Sequence, residues 1–100
     1  MTVEAPIHLR LAAQQALLGH VTPNLRAFSV EEDGKTILAL AVFEQPPSDH
    51  EIELIQFAGT ELISHYVDSM IDDRIEVTSA PQPPLLAHLV YRRYEPGDGI

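Results

Sequence analysis

The chain has 100 residues, the usual size of one domain, and its apolar content of 45% is normal for a globular protein. It contains no cysteine, which excludes disulfide bonds, zinc–thiolate sites, iron–sulfur clusters and thiol nucleophiles. Fifteen acidic and six basic side chains give a formal charge of −9, which disfavours binding to nucleic acid or to an anionic membrane surface.

No targeting or membrane-spanning segment is expected. The first residues lack a basic region and a continuous apolar region, as a signal peptide would have. The longest apolar run, residues 37–43, is far shorter than the roughly 20 residues that cross a bilayer. Because the absence of cysteine also suits a reducing compartment, we expect a cytoplasmic protein with no membrane partner.

Two helices are predicted. The first spans residues 6–18, where apolar residues recur at helical spacing and Gly19 occupies the position of a left-handed C-terminal cap. The second begins at Ser48 and Glu51, which form a capping box, and is predicted to end near Met70. The stripe that this helix is expected to bury consists of Ile52, Ile55, Gly59, Leu62, Ile63, Tyr66 and Met70.

Four strands are predicted, at residues 25–31, 36–44, 72–78 and 85–94. Asp33 and Gly34, between the first two strands, are a strong hairpin signal. The order α-β-β-α-β-β indicates a single α+β domain over residues 1–100. We expect a four-stranded, mostly antiparallel sheet with two helices packed on one face, and a flexible tail at residues 95–100.

The second predicted strand is apolar on both faces, which is typical of a central strand or of one that is covered on both sides. Ile37, Phe43 and the alanines between them alternate with a second apolar set. If the helices cover one face, this second set is left as a contact surface for another protein. Its members are Leu38, Leu40 and Val42.

No catalytic motif is recognisable. The sequence has no nucleophile elbow, no phosphate-binding loop and no histidine pair at metal-ligand spacing. His65 and Asp68 lie three residues apart on the second predicted helix and offer one candidate general base, although a solvated surface contact is the favoured interpretation. The acidic clusters at residues 31–33 and 72–73 are interpreted as solvated turn charge rather than as cation sites. We therefore predict no enzyme activity, cofactor or metal.

Acidic residues are concentrated in one stretch of the chain. Residues 36–73 contain eight of them and no lysine or arginine. A helix whose wet face carries one sign of charge favours a basic protein partner, and solubility alone is the competing interpretation with equal weight. The residues predicted to bind a partner are Glu44, Asp49, Glu53, Glu61, Asp68, Asp72 and Asp73.

Three segments resemble a family of small bacterial immunity proteins from contact-dependent growth inhibition and related toxin systems. They are LRLAAQQALLG at residues 9–19, TPNLRA at residues 22–27 and VYRR at residues 90–93. The resemblance implies a non-enzymatic inhibitor that binds and blocks a cognate toxin domain, often a nuclease, inside the producing cell. It carries over no site residues, because the shared motifs are structural.

Two hypotheses compete with a toxin-binding module whose partner has a basic surface. One is an orphan structural or regulatory protein that acts as a homo-oligomer, with a homodimer as the simplest case, through the apolar set at Leu38, Leu40 and Val42. The other is a small enzyme that uses His65 with Asp68, or a carboxylate metal site.

Overall fold

The computed structural model describes residues 4–95, which contain six regular elements. They are α1 (Glu4–Leu17), β1 (Leu25–Asp33), β2 (Thr36–Phe43), α2 (Asp49–Ile63), β3 (Met70–Val77) and β4 (His88–Arg92). The predicted order α-β-β-α-β-β and the α+β class are therefore confirmed. Gly19 follows α1 with a φ of 80°, the left-handed conformation expected just beyond a helix C-terminus.

The four strands form one mixed sheet in the order β3-β2-β1-β4. β1 is antiparallel to β2 and to β4, whereas β2 and β3 are parallel because α2 forms the crossover between them. Both helices pack on one face, where Phe28, Ile37 and Phe43 of the sheet share a core with Leu9 of α1 and Leu62 of α2. The predicted architecture, mostly antiparallel with two helices on one face, is confirmed.

The hairpin between β1 and β2 forms as predicted. Asp33 pairs with Thr36, which leaves Gly34 and Lys35 as a two-residue turn. Gly34 has a φ of 63°, a left-handed conformation that glycine adopts without steric cost. The local sequence therefore determines the register of the two central strands.

α2 ends at Ile63, well before the predicted end at Met70. The Ser64 hydroxyl bonds back to the last helical turn, and the chain then turns through residues 64–69. Met70 instead begins β3, where its N–H donates to the Lys35 carbonyl over 2.8 Å. Pairing with β2 satisfies the backbone of this segment, and that outweighs the helical spacing of its apolar residues.

The buried stripe of α2 is correspondingly shorter than predicted. Its buried residues are Ile55, Ala58, Gly59 and Leu62. Ala58 is absent from the predicted stripe, which is centred on the larger side chains. The prediction that Tyr66 and Met70 extend the stripe is wrong, because both residues follow the helix.

The crossover segment, residues 78–87, runs across the sheet face opposite to the helices. It must cross the sheet because β3 and β4 lie at opposite edges. Leu86 packs against Leu40 and Val42, and its N–H donates to the Ser29 hydroxyl over 2.8 Å. Pro83 in the same segment is buried. The chain therefore covers the second face of β2 with its own residues.

This covering corrects one expectation. The face that carries Leu38, Leu40 and Val42 is apolar, as predicted, but Leu40 and Val42 are buried and Leu38 is half-buried. They do not form an open contact surface, so the homo-oligomer hypothesis loses the surface on which it was based. β4 is also shorter than the predicted range 85–94, because residues 85–87 complete the crossover segment.

Truncation of Leu86 should destabilise the fold. We expect Leu86→Ala to lower the free energy of unfolding by about 1–3 kcal/mol, because it uncovers part of the small cluster on the second face. The neighbouring Leu85→Ala is the matched control, since Leu85 is exposed and should cost less than about 0.5 kcal/mol. Urea denaturation of both variants measures the difference. Equal losses would show that Leu86 does not hold the segment in place.

Candidate functional site

Two of the predicted partner-binding carboxylates are neutralised by arginines of the same chain. Glu44 accepts a hydrogen bond of 2.6 Å from the Arg93 guanidinium. Asp72 accepts two bonds, of 3.1 and 2.9 Å, from Arg74. Asp72 pairs in register with Leu38 and so lies on the sheet face opposite to the helices. Neither residue belongs to a surface centred on α2.

Asp73 borders α2 from the sheet. A Cβ placed on Gly59 would lie 2.6 Å from both carboxylate oxygens of Asp73, so an alanine there would force the carboxylate to move. Burial against the helix raises the pKa of the Asp73 carboxyl, and the charge of Asp72 raises it further. The residue as a whole remains exposed, so only the carboxylate group is partly desolvated.

Glu51, the one acidic residue of the stretch 36–73 that is not among the seven predicted to bind a partner, has a structural role. Its carboxylate accepts from the Ser48 N–H over 2.9 Å, and the Ser48 hydroxyl accepts from the Glu51 N–H over 3.1 Å, which confirms the capping box. A third bond, of 2.7 Å from the Thr22 hydroxyl, ties the loop after α1 to the start of α2. These hydrogen bonds, led by that from the Ser48 N–H, lower the pKa of Glu51.

The remaining acidic residues of α2 lie on its solvent-exposed side, which we call the α2 outer face. It consists of Asp49, Glu53, Gln56, Phe57, Thr60 and Glu61, all of them exposed. α2 contains no lysine or arginine. Phe57 is 54% exposed, and Glu53 and Glu61 lie one turn before and one turn after it. The α2 outer face therefore presents an aromatic ring between two carboxylates.

Phe57 is supported from one side by His20, in the loop that follows α1. The His20 ring lies 6.5 Å from the Phe57 ring, centroid to centroid, at an angle of 46°. His20 is itself held by a 3.0 Å hydrogen bond between its Nδ1 and the carbonyl of Ala16. The hydrogen bond to Ala16 fixes the His20 ring, and the His20 ring in turn limits the movement of Phe57. A preorganised binding residue needs such support. The charge pattern that marked α2 did not identify Phe57. The sequence does show, however, that Phe57 lies midway between Glu53 and Glu61.

Asp68 lies beyond α2, in the exposed turn that precedes β3. The hypothesis that His65 and Asp68 share a helical face is therefore wrong. Both side chains are exposed, and within residues 4–95 no hydrogen bond or ion pair joins them. In the same turn, burial raises the pKa of the Tyr66 hydroxyl, and the charge of Glu32 raises it further.

The two acidic clusters show no metal site. Glu31 accepts a bond of 3.0 Å from the N–H of Ala87, and Asp72 is paired with Arg74. Among residues 4–95, no group of three or more histidine, aspartate or glutamate side chains is arranged to hold a metal ion. In the same range, no helix is long and apolar enough to cross a membrane.

Arg26, near the start of β1, is a buried charged residue. It is 2% exposed, and its Nε and Nη2 donate to both oxygens of Glu95 over 2.8 and 2.9 Å. Nη1 and Nη2 also donate to the carbonyls of Thr78 and Ala80, over 2.6 and 2.7 Å, at the start of the crossover segment. The hydrogen bonds from Arg26 to Glu95, together with the charges of Arg26 and Arg93, lower the pKa of the Glu95 carboxyl. Of the tail predicted to be flexible, Glu95 is thus held, and residues 96–100 lie outside the described residues.

A polar cleft of about 250 Å³ opens beside this cluster. Its lining includes Arg26, Arg93 and the two glutamates with which they pair. Because both guanidinium groups already bind carboxylates of the same chain, the cleft presents balanced charge rather than an open anion site. We therefore interpret the cluster as structural, and the α2 outer face as the candidate binding surface.

The fold and the arrangement of charge define a small α+β protein with an acidic helix surface. Comparison with protein families identifies it further. The profile of the MafI2 immunity protein family matches residues 6–95, and the chain belongs to that family. The resemblance to small bacterial immunity proteins is thereby confirmed. A search of curated proteins found no match.

The Arg26–Glu95 pair should make stability depend on acidic pH. Because the folded state lowers the pKa of Glu95, the stabilisation is fully present above the unfolded value and is lost as pH falls through the folded value. We expect Glu95→Gln to lower the free energy of unfolding by about 1–3 kcal/mol at neutral pH, with a smaller difference at acidic pH. Urea denaturation at several pH values measures this. Glu76→Gln, at an exposed strand position, is the control, and a pH-independent difference for Glu95→Gln would contradict the pairing.

Proposed function

We propose that this protein is a cytoplasmic, non-enzymatic immunity protein that binds and neutralises a cognate bacterial toxin through the α2 outer face. Membership of the MafI2 immunity protein family supports the toxin-neutralising role. The observation that carries the choice of surface is the exposed Phe57 ring between Glu53 and Glu61, on a helix with no lysine or arginine.

The α2 outer face combines the two features that tight protein–protein contacts use. A large, rigid aromatic side chain that is half-exposed supplies buried area on binding at a small entropic cost, and such residues dominate measured binding energies. Carboxylates around it speed association with a basic surface and reject acidic ones. The partner expected from this arrangement has an apolar pocket rimmed by lysine or arginine.

A nuclease domain fits that description best. A domain that binds nucleic acid carries a basic surface, because it must neutralise phosphates. A protein with a formal charge of −9 and an acidic helix would occupy that surface and exclude the nucleic acid. The toxin in this proposal is therefore a nuclease that the immunity protein blocks at its substrate-binding surface, in the manner of toxin systems that include contact-dependent growth inhibition.

The surroundings of the seven residues predicted from the sequence indicate which of them contribute most to binding. Asp49, Glu53 and Glu61 lie on the α2 outer face and have no lysine or arginine on the same helix. Asp68 extends the surface beyond the helix end. The charges of Glu44 and Asp72 are already compensated by arginine, and Asp73 is partly covered by the helix, so these three contribute less.

Charge reversal on α2 should weaken toxin binding. We expect Glu53→Lys and Glu61→Lys each to raise the Kd by about tenfold or more, which corresponds to about 1.4 kcal/mol, mainly through slower association. The partner is the toxin domain encoded by the adjacent upstream reading frame, and calorimetry with the purified domain measures the Kd.

Glu76→Lys is the matched control for these variants, because it makes the same change of charge on β3, in register with Val42 and away from α2. It should change the Kd by less than about threefold. An equal effect of all three variants would show that net charge, and not the α2 outer face, governs binding.

Phe57 should be the energetic centre of the contact. We expect Phe57→Ala to cost about 2 kcal/mol or more of binding free energy, mainly through faster dissociation. Its effect on the free energy of unfolding should be small, because the ring is half-exposed in the free protein. Surface plasmon resonance measures the two rates, and Val67→Ala, at a fully exposed turn position, is the control. Unchanged toxin binding by Phe57→Ala would place the interface elsewhere.

A further inference from the structure

The two edges of the sheet differ in how they are protected. β3, at one edge, carries four charged residues among its eight: Asp72, Asp73, Arg74 and Glu76. Such charges are a common device that keeps an open strand edge from pairing with another chain. β4, at the other edge, has the uncharged residues Leu89, Val90 and Tyr91 at its centre and Arg92 at its end. Within residues 4–95, the centre of the β4 edge therefore lacks the charges that protect the β3 edge.

α1 and the residue that follows it, Leu18, carry a second apolar stripe in addition to the one that α1 buries. Ile7, Leu11 and Leu18 are 49%, 57% and 73% exposed, and Gln14 lies between them. Their spacing of four, three and four residues is that of a seam between two paired helices. We call these four residues the α1 stripe. A contiguous exposed aliphatic stripe is typical of a surface that contacts another protein.

The α1 stripe and the β4 edge form one continuous surface. A groove of about 240 Å³ between them is lined by Gln14, Leu18 and Val21 on one side and by Val90 and Tyr91 on the other. The groove is mainly apolar, so no row of charged side chains separates the α1 stripe from the β4 edge. An occupant that covers one of them would be expected to reach the other.

The charge on this surface suits a second copy of the chain. Residues 5–30 contain no aspartate or glutamate, and Arg10 and Arg26 are their charged residues at neutral pH. Residues 77–94, which include β4, also contain no aspartate or glutamate and carry Arg92 and Arg93, so the acidic residues behind the formal charge of −9 lie elsewhere in the chain. Two copies that meet at α1 and β4 keep their acidic helices apart, which lowers the repulsion between them.

We propose that two copies of the protein associate about a two-fold axis, with their β4 edges paired antiparallel and their α1 stripes packed against each other. The geometry of the sheet is consistent with this. α1 lies over β1 and β4, so pairing of the two β4 edges separates the α1 helices by about two strand spacings, or about 9.6 Å. That separation is within the usual range of about 8–10 Å between packed helices.

The α1 stripe is also self-complementary in the antiparallel direction. Its spacing reads the same from either end, so Ile7 meets Leu18 of the second copy and Leu11 meets its Gln14. Arg10, a charged residue beside the stripe, then faces Gln15 of the second copy rather than another arginine. Antiparallel helices additionally bring opposite ends of the two helix dipoles together.

The experiment is sedimentation velocity of the full chain, without toxin, from about 1 to about 300 μM. A short edge strand and one helix face form a modest interface, so we expect a monomer–dimer equilibrium with a Kd in about the micromolar range. Leu18→Glu and, separately, Leu89→Lys on the β4 edge should raise that Kd at least about tenfold. Both positions are exposed, and circular dichroism verifies that the variants remain folded.

Val67→Glu is the matched control, because it adds the same charge as Leu18→Glu at a valine that is 93% exposed and lies beyond α2. Its dimer Kd should stay within about twofold of the parent value. A chain that is monomeric at every concentration overturns the proposal. So does a dimer that Leu18→Glu and Leu89→Lys leave unchanged.

Disulfide trapping tests the orientation of the two copies. The chain has no cysteine, so Leu11→Cys and Gln14→Cys introduce the only thiols. An equal mixture of the two variants should form the mixed disulfide on oxidation, because these positions face each other across the axis. Preferential formation of the Leu11→Cys homodimer would indicate parallel helices and overturn the proposed arrangement.

The dimer is independent of the proposed toxin-binding surface, since the variants that test them lie on different elements. If Leu18→Glu weakens toxin binding while the parent chain is monomeric, the toxin and not a second copy covers the α1 stripe, and the proposal is overturned. A dimer that binds no toxin would leave this inference intact and contradict the proposed function instead.

Discussion

Strand β2 has apolar side chains on both faces, so the fold must keep water from both. The two helices cover one face and complete the main core around Phe28 and Phe43. The crossover segment covers the other face, where Leu86 packs on Leu40 and Val42. The topology follows from this requirement, because a segment that joins opposite edges of the sheet passes over the face that the helices leave open.

Arg26 binds the first residues of the crossover segment and holds them against β1. A buried guanidinium is costly unless its donors are satisfied, and here they bind two carbonyls of the crossover segment and the carboxylate of Glu95. The same side chain thus joins β1, the crossover segment and the residues after β4. Because α2 lies on the opposite face of the sheet, these structural charges are separated from the acidic residues of the α2 outer face, which are exposed to solvent.

The sequence contained most of the information needed for the element order. The capping box at Ser48, the hairpin at Gly34 and the two-sided apolar pattern of β2 are local signals, and each is found in the structure. The end of α2 at Ile63, in contrast, could not be predicted from local sequence. Tyr66 and Met70 continue the helical spacing of the apolar residues, and only the parallel pairing with β2, a contact between distant segments, decides that Met70 belongs to a strand.

The candidate site was predictable in part for the same reason. The excess of carboxylates on α2 is a property of sequence, but the partners that neutralise some of them are not. Arg93 reaches Glu44 across the fold, and the local pair of Arg74 with Asp72 forms on the far side of the sheet. The support that His20 gives to Phe57 depends likewise on how α1 and α2 are placed together. Local patterns therefore identified the helix, and tertiary contacts selected the residues on it.

The long separation between Arg26 and Glu95 has a consequence for synthesis of the protein in the cell. The two residues are 69 positions apart in the chain, so a ribosome that has made both helices and three strands has still not supplied the counter-ion of Arg26. Until residue 95 leaves the exit tunnel, β1 lacks its second neighbour and the arginine has no carboxylate to bind in the interior. The Arg26–Glu95 pair therefore forms only after nearly the whole described chain has been translated.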